Sequence, residues 1–267
     1  MQNRFRFYLQ LAFTLLVCAF LVVPVVLSML AGVTENFFVG LSSGLTLRWV
    51  AQVWDMYQPT IWRSLIIALA CLAVTLVAGV PLAYMLARYR GGHSRLARII
   101  EELLMMPVAV PGLATALALI MAYGQLREFR ASIFFILVGH VIFTLPFMVR
   151  PVLAVMQSSQ LAQLEEAAAS LGAGRLRRFF GIVIPNAASG ILAGALMVVT
   201  LSIGEFNITW MLHTPLTQTL PVGLADAYAS MRLEVGSAYT LIFFFMIIPL
   251  LIGMQWATQA TRKKVSL

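Results

Sequence analysis

The sequence predicts an all-α integral membrane protein: six transmembrane helices, with a cytoplasmic two-helix loop between spans four and five. Three observations lead there. Hydrophobic residues fill 61% of the 267 positions and charged residues only 10%, where a soluble domain carries about 25% charged residues. The apolar residues gather into runs of roughly 20, the length of helix that crosses the hydrocarbon core. The basic residues then fall mostly on one side. Thirteen of the 18 (Arg4, Arg6, Arg88, Arg90, Arg95, Arg98, Arg150, Arg175, Arg177, Arg178, Arg262, Lys263 and Lys264) share a face, leaving Arg48, Arg63, Arg127, Arg130 and Arg232 opposite. The positive-inside rule assigns both termini to the cytoplasm. The net charge of +8 therefore reads as topology, and no nucleic-acid partner is expected.

Taken in order, Arg4 and Arg6 precede an apolar run ending near Ala31, longer than the core of a signal peptide and so an uncleaved first span kinked at Pro24. Leu47, Val50, Trp54 and Tyr57 share a helical face, and with Trp49 and Trp62 nearby they suggest a separate interfacial helix on the outer surface. The second span covers Ile61 to Leu86 and includes Pro81. A basic loop follows, with Gly91-Gly92 and His93, closed by Glu101 and Glu102. The third span, Leu103 to Tyr123, contains Pro107 and Pro111-Gly112. Such breakers persist in a membrane only where neighbours or water satisfy the freed backbone groups. After a turn at 124–130, the fourth span runs from Ala131 to Met156, with Arg150 at the inner boundary.

The fifth span, Ala187 to Trp210, carries Gly190-x3-Gly194, a spacing that permits close helix contact. A polar outer segment from Met211 to Gly236 leads to the sixth span, Ser237 to Trp256. By domain, residues 1–60 form the first helix and outer segment, 61–258 the membrane core, and 259–267 a basic cytoplasmic tail.

Between spans four and five lies a segment too polar for the bilayer. Leu161, Leu164, Ala168 and Leu171 recur at helical spacing, with Ser158 or Ser159 as the start cap and Gly172 as a left-handed stop. Leu176, Phe179, Phe180 and Val183 make a second stripe, with Arg175, Arg177 and Arg178 turned away from it. Glu166-Ala167-Ala168, Gly172, Ile182 and Ile184-Pro185 follow the pattern E-A-A-x3-G-x9-I-x-L-P, with Ile184 in place of Leu. This resembles the EAA loop of binding-protein-dependent ABC importer permeases, the type I membrane subunits. Leu45-Thr46-Leu47-Arg48-Trp49, Asn207-Ile208-Thr209 and Thr219-Leu220-Pro221 look like the spermidine/putrescine and 2-aminoethylphosphonate permease group.

The resemblance implies a bacterial inner-membrane subunit that works with a second permease, identical or homologous. It also implies an ABC ATPase dimer that binds ATP and grips the loop, and an extracytoplasmic solute-binding protein. The solute would be a small polar organic molecule, a polyamine or an aminoethylphosphonate.

No Gly-rich loop followed by Lys and Ser/Thr occurs, so the chain has no phosphate cradle of its own. Cys18 and Cys71 lie in apolar runs, which argues against a disulfide or zinc framework. His93, His140 and His213 lack metal-ligand spacing, and His140 reads as a satisfied helix residue. With no nucleophile, base and acid set, the chain is expected to be no enzyme and to hold no cofactor. Glu205 stands out as an acidic group near the outer end of span five. Two roles are open to it, with Asn207 and Thr209 beside it: lining the solute pathway, or packing near a hydrated boundary. An ion-coupled secondary transporter using Glu205 is the alternative class. It predicts internal repeats and paired intramembrane charges, and neither is visible.

Overall fold

A computed structural model describes residues 2–90, 95–158 and 160–265. Among these, regular structure is helical apart from one isolated bridge between Thr34 and Leu45. In chain order the helices are α1 Gln2–Ala31, α2 Arg48–Arg90, α3 Arg95–Ala109, α4 Gly112–Tyr123, α5 Arg127–Ala131, α6 Ile133–Ser158 and α7 Leu161–Ser170. There follow α8 Arg175–Arg178, α9 Ile184–Asn186, α10 Ala188–Gly204, α11 Asn207–Leu212, α12 Leu220–Ala229 and α13 Leu233–Val265. Helices α1, α2, α6 and α13 are long and apolar enough to cross a membrane. Two bent pairs bring the candidates to six: α3 with α4, at 105°, and Arg175–Asn186 with α10, at 71°.

The separate interfacial helix is not found. Residues 48–60 continue without interruption into the second span as α2, through Pro59 and Pro81. The Thr46 hydroxyl accepts the Arg48 amide at 3.1 Å, and no glycine follows before the apolar run to end the helix, which continues through Pro59. The stripe is also rotated from the expected one: Val53 is buried, while Leu47 and Trp54 are exposed. The third span is broken, because Pro111 sits in extended backbone (φ −56°, ψ 138°). The fifth is broken at Glu205 (φ −70°, ψ 119°) and restarts at Asn207. Arg98, Glu101 and Glu102 belong to α3 rather than to a loop. Gly91, Gly92, His93 and Ser159 lie outside the described residues.

By its contacts the chain divides into two units. The first comprises Met1–Gln58 and Gly223–Met246. There Gly32 lies so close to α13 that a Cβ would come within 2.6 Å of Ser237 and Ala238 backbone atoms. The Glu234 carboxylate accepts the Phe37 amide at 2.9 Å, and the Arg232 guanidinium donates to the Tyr57 hydroxyl at 2.7 Å.

The second unit comprises Pro59–Val222 and Ile247–Leu267. Its core gathers Cys71, Val80 and Ala83 of α2, Met148, Val152 and Met156 of α6, Val183, and Ala195 and Val198 of α10. Helices α6 and α10 touch along the glycine pair anticipated from sequence. A Cβ on Gly190 would lie 2.6 Å from the Pro151 carbonyl oxygen, and one on Gly194 would lie 2.9 Å from Met148 Sδ. At Gly190 the obstacle is backbone, so only glycine allows that approach.

Candidate functional site

The segment from Leu161 to Asn186 builds a two-armed knob. Its corner is a Schellman turn: Gly172 has φ +81°, its amide bonds to the Ala169 carbonyl, and the Ala173 amide reaches back to Ala168. The left-handed stop is as the sequence indicated. The start is not. Gln160 occupies the cap position without a side-chain bond, and Ser158 is the last residue of α6, its hydroxyl bonded to Val155. Beyond the corner, α8 passes into a π turn over Phe179–Val183 and then α9.

The buried face of α7 also differs from the expected stripe. Leu161 and Glu165 are buried, with Ala168 partly so, while Leu164 and Leu171 face outward. Leu171 is 88% exposed, Leu176 76% and Phe180 65%. Glu166 and Ala167 lie on the exposed side, as do Gly172 and Pro185, and Ile182 is half-buried. Arg175 and Arg177 are exposed, but Arg178 turns inward, its guanidinium directed at the Glu165 carbonyl at 3.4 Å.

Glu165 was not singled out from sequence. Its carboxylate accepts the Tyr84 hydroxyl at 2.6 Å. Tyr84 in turn accepts from the Arg88 guanidinium at 2.6 Å, which also forms a 3.6 Å ion pair with Glu165. The Tyr84 ring meets Phe179 edge-on at 5.3 Å. Tyr84, Arg88, Glu165, Glu166 and Arg178 border a cavity of about 260 Å³. A signal was present: Glu165 lies four residues from Leu161 and three from Ala168, on their face, and Tyr84-x3-Arg88 share one face of α2.

The second polar centre lies at the break between α10 and α11. Glu205 is buried. Its two carboxylate oxygens accept the amides of Ile208 and Thr209 at 2.9 Å each, and the Thr209 hydroxyl adds a third bond at 3.1 Å. The carboxylate thus caps α11, where the amides of a first turn have no carbonyl partners. At the other end, Arg130 donates to the Leu212 carbonyl at 2.6 Å.

Buried His140 joins this centre, Nε2 to the Thr209 hydroxyl at 2.8 Å and Nδ1 to Ser202 at 2.9 Å. Thr209 has one proton, which goes to Glu205, so its oxygen accepts from His140 Nε2–H. In a neutral ring Nδ1 then accepts from Ser202. His140 is a satisfied helix residue, as read from sequence. Gly112, in the break of the third segment, packs here too: a Cβ would lie 3.2 Å from Asn207 Cβ and 3.6 Å from Glu205 Oε1. Asn207 is exposed beside it and Thr209 is buried. Among the described residues no group of three or more His, Cys, Asp or Glu side chains could hold a metal.

The described residues thus form a helical chain with four helices long and apolar enough to cross a membrane, and up to six if each bent pair is one span. Residues 79–266 match the family of binding-protein-dependent transport system inner membrane components, and the chain belongs to that family. Such permeases are not enzymes. The putrescine transport system permease protein PotI of Escherichia coli is 26% identical over 238 residues, covering 85% of this chain and 81% of PotI. The sulfate transport system permease protein CysW of the same species is 33% identical over 158 residues, 55% of this chain and 53% of CysW. A chain of the methionine ABC transporter MetNI, in an inward-facing form, superposes with a TM-score of 0.63. The alignment covers 80% of this chain and 97% of that one at 15% identity, a likeness of fold.

Proposed function

We propose that this chain is the permease subunit of an ATP-driven importer for a small polar solute. In this reading six spans cross the inner membrane with both termini and the knob in the cytoplasm. The observation that carries it is the knob: a glycine-cornered pair of short helices whose outer face presents Leu171, Leu176 and Phe180 beside Arg175 and Arg177. A charged segment of this kind is not a lipid-facing surface, and its exposed apolar side chains suit a protein groove. The groove is assigned to a cytoplasmic ABC ATPase pair, which binds the ATP. Closure of that pair moves the knob and tilts the membrane helices between inward-open and outward-open states. Glu166 offers a carboxylate to donors in the groove, Ala167 and Ala168 permit close approach, Gly172 sets the angle, and Ile182 and Pro185 lead back to the membrane.

The pathway is assigned to the junction of the two broken segments. Asn207 faces it, while Glu205 and Thr209 shape it by fixing the start of α11. A second permease, identical or homologous, completes the pathway, and an extracytoplasmic binding protein delivers the solute. The polyamine option is taken from the PotI match over most of both chains, the sulfate permease CysW offers a small oxyanion as the competing class, and the aminoethylphosphonate option rests on the short motifs alone. Ion coupling through Glu205 is disfavoured because both carboxylate oxygens are already engaged by the α11 backbone.

The test is uptake into vesicles that hold the complex purified through a tagged permease, with the binding protein added. Uptake of a polyamine that requires ATP supports the reading. Uptake driven by an ion gradient without ATP would overturn it.

A further inference from the structure

The knob is continuous in chain with α6 and α10, so its displacement reaches those helices through the backbone. Helix α2 has no such connection. It is joined to the knob by side chains at its end, and the Tyr84 side chain touches both arms. Its hydroxyl bonds Glu165 on α7, and its ring packs against Phe179 beyond the Gly172 corner. Arg88, one turn on, bonds the same hydroxyl and pairs with the same carboxylate. The two hydrogen bonds through the Tyr84 hydroxyl are short, at 2.6 Å each, and bonds to charged partners are the stronger kind. From Pro59 onward α2 would extend about 48 Å at 1.5 Å per residue, more than the ~30 Å of a hydrocarbon core. Movement at its Tyr84 end can therefore reach its far end.

We propose that Tyr84, Arg88 and Glu165 form the link that carries knob movement into α2. In this role Glu165 transmits force within the permease, and Glu166 faces the ATPase. The inference rests on the permease reading above. All three are positioning residues that contact no solute.

Arg88 is 53% exposed and stays hydrated when Glu165 is removed, while the inward-turned Arg178 bonds the backbone carbonyl of residue 165, which alanine keeps. Glu165→Ala is therefore a usable variant. Tyr84→Phe keeps the ring on Phe179 and deletes only the bridging hydroxyl. The experiment purifies the complex through tagged permease, wild type and each variant. It measures membrane abundance, bound ATPase, ATP hydrolysis, and polyamine uptake per ATP hydrolysed.

In both variants the link predicts normal abundance, bound ATPase and persisting hydrolysis. Uptake per ATP falls on the order of tenfold, within the usual span of coupling between sites, and Glu165→Gln, which retains an acceptor for Tyr84, recovers part of it. Unchanged uptake per ATP in both variants overturns the proposal. So does parallel loss of abundance and ATPase in Tyr84→Phe, which would make the cluster a folding contact. A wild-type permease that binds no ATPase would sink the permease reading itself, a result distinct from either.

Discussion

Two buried carboxylates in the second unit solve opposite problems. Glu205 bonds to its own chain, three and four residues ahead. Glu165 bonds to a tyrosine 81 positions away on another helix and pairs with a half-exposed arginine. The first carboxylate shapes a local turn and is closed off by satisfied backbone amides. The second ties two separate helices together through a tyrosine and a half-exposed arginine. A buried acid in a membrane protein is by default a functional candidate. The contrast shows that its partners decide the role: a capping acid fixes geometry, and a bridging acid can carry motion.

The largest expected effect follows from breaking the cap. Glu205→Ala strips the acceptor from two buried amides, each costing about 1–3 kcal/mol when left unsatisfied. Membrane abundance and uptake should fall together, which immunoblotting beside an uptake assay would show. Abundant protein with selectively lost uptake would instead make Glu205 a pathway group.

Gly172→Val comes next. A β-branched residue at φ +81° carries strain on the order of 1–2 kcal/mol, in a corner with open space around it. Insertion should be normal while ATPase is lost on purification. Thr209→Val is milder for ATPase binding. It keeps the shape and bound ATPase, but it removes the hydroxyl between His140 and Glu205 and leaves the buried His140 Nε2–H without its acceptor, a cost of about 1–3 kcal/mol seen as a fall in thermal stability in detergent. Glu166→Ala, at an exposed position, should be the smallest: normal abundance and a modest loss of bound ATPase. A Glu166→Ala loss as large as that of Gly172→Val would reverse the assignment of the two neighbouring acids.

Much of this was legible before any fold was known. The Gly172 stop and the breakers Pro111-Gly112 act through local sterics, and the glycine pair at 190 and 194 acts through the side chain it lacks, so local sequence records all three. What was missed depends on partners. Pro59, Pro81, Pro146 and Pro249 all sit inside helices, whereas Pro111 ends one, and the prolines themselves do not say which neighbours will satisfy the freed carbonyls. Leu164 and Leu171 fit an apolar stripe by spacing but face outward, because the side of α7 that meets α2 is chosen by Tyr84 and Arg88, far away in sequence. Glu205 was visible as an oddity. Its engagement as a cap required the break at Phe206, which an apolar run does not announce.

The central claim is that the knob is where an ATPase docks, and Leu171 is the place to ask. A photo-crosslinking amino acid at Leu171, the most exposed large apolar residue of the corner, would be activated in intact membranes and its adducts identified by mass spectrometry. The account predicts an ABC ATPase subunit as the principal adduct, in a protein that still supports uptake. Full uptake with no ATPase adduct, together with labelling of a cysteine at position 171 by an impermeant thiol reagent from outside the cell, would contradict it.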